Sequence, residues 1–268
     1  MLTRKSGFLI ALAAALTLHL SVPVASRAQG RGGAPPVGKV GAPVDLTGYW
    51  VSIVTEDWRY RMMTPKKGDY ASVPLNADAR KVADAWDPAK DEAAGEQCKS
   101  YGAAAIMRVP GRINIAWQDD MTLKVDTDAG KQTRLYRFGK SQPPAGPGTI
   151  QGYSVATWDA PPTPQNAAAA GNNSPAATIE AQSRGGSLKV VTTHLKPGYL
   201  RRNGVPYSEN TTVTEYYTRT FESNGDSWLI VTTIVEDPTY LNQPFITSTH
   251  FKKEADGAKW MPTACTAR

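Results

Sequence analysis

SLKVVTTHL (187–195), TVTEYYTRTF (212–221), SWLIVTTIVED (227–237) and PFITSTHFKKE (244–254) decide the fold. Each run is rich in Val, Ile, Thr, Tyr and Phe. Gly, Pro and Asn break the runs apart, so the stretch predicts four strands of an antiparallel sheet. Ser223-Asn224-Gly225-Asp226 is a hairpin turn between two of them. The connection 196–211 is different. It is long and carries Tyr199, Arg201, Arg202, Tyr207 and Glu209. Connections of that length in a compact domain are either functional or disordered.

Upstream, short runs at hairpin spacing add to the sheet. Arg112 to Gln118, Thr122 to Asp126 and Gln132 to Phe138 read as a meander, with Asp128-Ala129-Gly130 as its second turn. Gly152 to Asp159 is a further strand, reached through a Pro/Gly loop at 141–148. DLTGYWVSIVT (45–55) is the first strand, with Leu46, Gly48, Trp50 and Ser52 on one face. Residues 56–73 mix charge, aromatics and Pro and read as irregular. Asn76 can cap a helix whose stripe is Ala79, Val82, Ala83 and Trp86. Asp87-Pro88 stops that helix and starts a second piece, which runs to about Gln97. The sum is a mostly β domain of eight or nine strands, an antiparallel barrel or sandwich, with one helical segment at Asn76 to Gln97.

The ends and the cysteines bound the compartment. Arg4 and Lys5, the apolar run from Phe8 to Leu20 and the small-residue site Ser26-Arg27-Ala28 form a secretory signal over 1–28, with cleavage after Ala28. The run is too short to span a bilayer, so no stable membrane insertion is expected. Cleavage removes three basic residues, and the formal charge falls from +6 to 27 − 24 = +3. The basicity is partly a targeting feature and carries no nucleic-acid meaning. Residues 29–44 are a Gly/Pro/Ala-rich leader expected to be disordered, and 160–186 is a low-complexity insertion between two strands. The β domain spans 45–268. The two cysteines, Cys98 and Cys265, form an even pair in an oxidising compartment and are expected as a disulfide. A periplasmic or secreted location follows.

One set of residues resembles a known group. Cys98, Pro110-Gly111-Arg112, Gly152-x-Ser154-x-x-x-Trp158, Leu188-x-Val190-x-Thr192, Val213-Thr214-Glu215-x-x-x-Arg219 and Glu236-Asp237-Pro238 together resemble a group of secreted bacterial proteins with no assigned activity. The insertion at 160–186 departs from that pattern and leaves the pairing of the Trp158 and Leu188 strands open. Gly48-Tyr49-Trp50 also resembles the G-x-W of lipocalins, which implies a closed barrel with a ligand cavity.

The candidate chemistry centres on Val213, Glu215, Tyr217, Arg219 and Phe221, which alternate onto one face. Charges among apolar side chains need partners. Two readings stand: a polar patch in a pocket, or ion pairs with each other or with neighbouring strands on a solvated face. In the first, Glu215, Tyr217 and Arg219 bind a ligand carboxylate or carbonyl. His194, Tyr199 and Arg201 complete the candidate ligand-binding set. Lys196, Arg201 and Arg202, with two tyrosines, read by default as a solvated loop, and the alternative is that they engage an anionic ligand or glycan.

His194 and His250 lack metal-ligand spacing, so no metal or other cofactor is expected. Ser154 lies in a near-elbow string that continues as a strand, which argues against a serine hydrolase. Asp119-Asp120 and Asp126-x-Asp128 suit turns better than calcium loops. The expected function is non-enzymatic binding of a small-molecule ligand. The alternatives are a hydrolase or isomerase using Glu215 or His194 as base, and a structural or accessory envelope protein. Oligomeric state is not legible in the sequence.

Overall fold

The computed structural model describes residues 37–139, 142–159 and 186–267 of the chain. The expected signal segment and its cleavage site, the first part of the leader, and all but the last residue of the 160–186 insertion lie outside the described residues.

Among the described residues eleven strands are present: β1 (Gly48–Ile53), β2 (Arg112–Asp119), β3 (Thr122–Thr127), β4 (Thr133–Phe138), β5 (Tyr153–Asp159), β6 (Ser187–Thr193), β7 (Gly198–Arg201), β8 (Val205–Tyr207), β9 (Thr212–Phe221), β10 (Ser227–Glu236) and β11 (Phe245–Lys253). Nine of them close a barrel in the order β1-β11-β10-β9-β6-β5-β4-β3-β2. The barrel alternative therefore holds over the sandwich. The opening stretch supplies four adjacent strands, β6, β9, β10 and β11. Trp158 pairs with Leu188, which settles the register across the insertion.

Eight of the nine pairings are antiparallel, and β4 with β5 is parallel. The chain leaves β4 at one end of the barrel and returns to the other before β5 begins. Antiparallel neighbours can be joined by a tight turn, whereas parallel ones need such a crossover.

Alternation fills the interior. Trp50, Ile113, Ile115, Leu123, Val125, Tyr136, Phe138, Leu188, Val190, Tyr217, Leu229, Val231 and Phe251 form one continuous buried cluster. Burying a large apolar side chain contributes roughly 1.5–3 kcal/mol, so this layer carries much of the fold's stability.

Two caps close the ends. At the first end, three helices, α1 (Trp58–Arg61), α2 (Ala77–Asp84) and α3 (Pro88–Ala93), surround the β7–β8 hairpin. There Ala79, Ala83, Leu200, Val205 and Tyr207 pack on Val213, Val235 and Phe245 from the barrel rim. Asn76 caps α2 by accepting from the Ala79 N–H at 2.9 Å, and Asp87 caps α3 by accepting from the Ala89 N–H at 3.1 Å. Both caps are those expected. The helical segment is broken at Asp87-Pro88, as read, and α1 lies in the stretch read as irregular.

The connection 196–211 corrects the expectation of a solvated loop. It holds β7 and β8, which pair with each other, and Leu200, Arg201, Val205 and Tyr207 are all buried. Its apolar residues cover the barrel end, which an open loop could not do.

At the second end, residues 38–46 strap across the mouth. The Trp158 Nε1–H donates to the Gly38 carbonyl at 2.8 Å, the Lys39 N–H to that of Asp120 at 2.9 Å, and the Trp50 Nε1–H to that of Leu46 at 3.0 Å. The leader expected to run disordered through Val44 is thus ordered from Gly38, because these tryptophan and backbone donors hold it.

Candidate functional site

The strand β9 face is built as alternation requires, but its residues do not form one site. Glu215 and Tyr217 point into the barrel and are fully buried. Arg134, on the inward face of β4 with Tyr136 and Phe138, reaches Glu215 in a bidentate pair at 2.9 and 2.6 Å. Around them the Tyr136 and Tyr217 hydroxyls bond each other, and Ser154 Oγ lies 2.7 Å from Thr192 Oγ1. Burial alone would lower the Arg134 pKa, but Glu215 outweighs it and holds the guanidinium charged. Burial first, then the nearby Glu215 charge, pushes the Tyr217 phenol up.

No part of the Arg134 or Glu215 side chain touches solvent. A water-sized void beside them would register as exposure, so this layer is filled. Glu215 is thus ion-paired, as in the second of the two readings, but inside the barrel rather than on a solvated face, and with a strand that is not its neighbour. The cavity implied by the lipocalin resemblance is not present around this pair.

Arg219 lies apart, toward the strapped end. Its Nε donates to Ser227 Oγ at 2.7 Å and its Nη1 to the Asp45 carbonyl. It stacks on Trp50 at 5.4 Å and on Phe221 at 4.5 Å. Phe221 is exposed at the rim rather than part of an apolar lining. His194 ends β6 with φ 59°, and its carbonyl accepts from the Thr149 N–H at 3.3 Å. Tyr199 donates from its hydroxyl to Asp91 on α3 at 2.8 Å, and burial and that carboxylate push its pKa up. His250 lies 2.9 Å from Thr55 Oγ1. Among the described residues, no three His, Cys, Asp or Glu side chains converge as a metal site.

Arg201 is the member of the candidate set that meets other functional chemistry. It lines a small cavity of about 20 Å³ at the helical cap, with Tyr60, Arg61, Ser100, Arg108 and Arg202. Arg61, Arg108 and Arg201 are only 4 %, 7 % and 4 % exposed. Three buried guanidiniums need counter-charges. Arg61 has one, in Glu56, and also donates to Ser52 Oγ at 3.0 Å and the Arg108 carbonyl at 2.9 Å. Arg108 has one, donating from Nη2 to Asp57 Oδ2 at 3.0 Å.

Arg201 has no hydrogen-bonded carboxylate among the described residues. Its Nη1 donates to the Ala71 carbonyl at 2.6 Å. Its Nε and Nη2 are buried with no partner, as is Arg108 Nη1. The Arg201 guanidinium stacks on Tyr60 at 4.2 Å, and it approaches the Phe245 ring at 5.9 Å while Arg108 does so at 5.6 Å. Burial first, then repulsion from Arg108, pushes the Arg201 pKa down to about 10, which leaves it charged at neutral pH.

A larger surface cleft of about 670 Å³ lies between Thr64–Lys67 and Ala85–Lys90. Lys66, Lys67 and Lys90 in its wall are exposed, so water already serves them. The donors without a partner belong to residues that line the smaller cavity.

Arg61, Arg108 and Arg134 were not among the sequence candidates. Arg134 carried a signal, a cation alternating with Tyr136 and Phe138 on one strand face. Arg61 and Arg108 carried none, since both sit in segments without strand or long-helix periodicity. Comparison with protein-family models, with curated proteins and with solved structures found no match in any of the three.

Proposed function

We propose that this chain is a secreted or periplasmic, non-enzymatic binding protein that takes a small-molecule ligand at the helical cap of the barrel. The observation that carries the reading is the Arg201 side chain. It is buried and charged, it lines a cavity, and two of its donors are sealed from solvent without a partner. A buried donor left unmade costs roughly 1–3 kcal/mol, more when charged, and a ligand that fills it recovers that cost. The disulfide between Cys98 and Cys265 is compatible with the oxidising compartment that this reading assumes.

Binding is favoured over catalysis by the state of the carboxylate that the sequence offered as a base. Glu215 has both oxygens engaged by Arg134 and no exposure. A general base must come within hydrogen-bond reach of its substrate. His194 is held by its strained backbone at the end of β6, with no nucleophile paired to it in the described contacts.

The test is native mass spectrometry of the protein purified from its own host, followed by thermal unfolding with a panel of acids, amines and neutral sugars. A co-purifying small molecule, or a panel member that raises the melting temperature in a saturable way, is the expected result. A bare protein mass with no stabilising compound in the panel would overturn the proposal.

A further inference from the structure

We propose that the ligand carries an oxyanion head group, and that Arg201 grips two of its oxygens with Nε and Nη2 while Arg108 Nη1 donates to the same head. This rests on the binding reading above and names the chemical class of its ligand.

The choice of class follows from which donors are free. The Nε–H and one Nη–H of a guanidinium lie parallel along one edge, and that edge matches the two oxygens of a carboxylate or phosphate. In Arg201 this edge is the one left open, because the Ala71 carbonyl takes Nη1. The Tyr60 ring, 4.2 Å from the guanidinium carbon, stacks on its plane. The head group is therefore met by a fork whose partners already hold it in place.

The charge count points the same way. Glu56 serves Arg61 and Asp57 serves Arg108, while Asp69, whose charge is also felt by Arg201, is bonded to Arg59 at 2.7 Å. One buried positive charge is left over at the cavity wall. A neutral ligand could accept from Arg201 but would leave that charge uncompensated. The cavity, about 20 Å³, has room for about one water, so the wall beside Arg201 must yield for the head to enter, and the rest of the ligand lies outside it.

The experiment is isothermal titration of the purified protein with acetate, inorganic phosphate, sulfate, chloride and acetamide, at constant ionic strength. Acetate or phosphate is expected to bind saturably, and whichever binds more tightly identifies the head as planar or tetrahedral. Acetamide, the neutral isostere of the acid, should bind at least tenfold more weakly than acetate. Arg201→Lys keeps the charge but loses the fork, and should weaken the best anion at least tenfold. Circular dichroism checks that this variant keeps the β spectrum, and Arg108→Gln, which should weaken the anion by a smaller factor, provides a second reading if it does not.

Equal binding of chloride and the oxyanions would overturn the two-oxygen grip. Unchanged affinity in Arg201→Lys would overturn the residue assignment. If a neutral compound co-purifies and Arg201→Lys releases it, the binding reading stands and the oxyanion inference falls. If no anion binds and nothing co-purifies, both fall.

Discussion

Arg134 and Glu215 show what a single buried pair does to this barrel. Each sits on a strand face otherwise lined by aromatic and aliphatic residues, and each is tolerable only because the other is 2.6 Å away. Removing one partner leaves the other charge unpaired. Glu215→Leu should lower stability by about 3–5 kcal/mol, while Arg134→Met with Glu215→Leu should recover most of that loss. Chemical denaturation of the two singles and the double checks this, and an additive double mutant would deny the pairing. The sequence exposed both charges as misfits of alternation. It could not join them, because β4 and β9 are not neighbours in the barrel. The phenols beside them set the alkaline limit. Tyr136, Tyr207 and Tyr217 all have folded pKa values raised above the ordinary 10.0, with burial as the first cause. A raised folded value stabilises the protein fully below pH 10 and loses that contribution as pH rises above it. In a tyrosine absorbance titration these phenols should ionise only as the β signal is lost. Complete ionisation near pH 10 with the fold intact would contradict their burial.

Among the elements, the β7–β8 hairpin turns the arginine cluster into a cavity. Asn203-Gly204 at its turn is a hairpin pattern, and Pro206 is unfavourable in a central strand. The hairpin is a two-stranded sheet of its own, so Pro206 sits on an edge where the missing N–H does no harm. Gly204 has φ +81°, and a Cβ there would lie 2.2 Å from Trp86 Cγ on the helical cap. Gly204→Ala should therefore destabilise the cap by about 1–3 kcal/mol from backbone strain alone. The readout is a lower denaturation midpoint, and an unchanged midpoint would mean the hairpin is not docked on Trp86. The helix caps at Asn76 and Asp87 were legible because capping is local. The parallel pairing of β4 with β5 was not, since the Pro/Gly loop at 141–148 signals a break without saying which way the chain resumes.

For the whole molecule, closure of the barrel and the single cross-link act together. Cys98 and Cys265 are 167 residues apart, so in the loop-entropy account their disulfide constrains most of the unfolded chain. Reduction should cost about 5 kcal/mol at most, read as a fall in the denaturation midpoint with dithiothreitol. No change on reduction would show that the cross-link is absent or energetically idle. The number of barrel strands was legible from alternation and turn chemistry, whereas closure was not, because a barrel and a sandwich share both signals. Of the proposed binding site, Arg201 was legible as a cation in a long connection, and its neighbours Arg61 and Arg108 were not. The strand that looked most polar pairs its carboxylate inside a filled barrel, whereas the donors without a partner come from the turn before β2 and from β7, segments that meet only in three dimensions.

That contrast is tested most directly by following the arginine Nε–H resonances of the labelled protein by NMR during an acetate titration, with assignments from Arg201→Lys and Arg134→Met. The expected result is a saturable shift of the Arg201 signal while that of Arg134, sealed with Glu215, does not move. A shift at Arg134, or no shift at Arg201 at saturating acetate, would contradict the placement of binding at the barrel's cap.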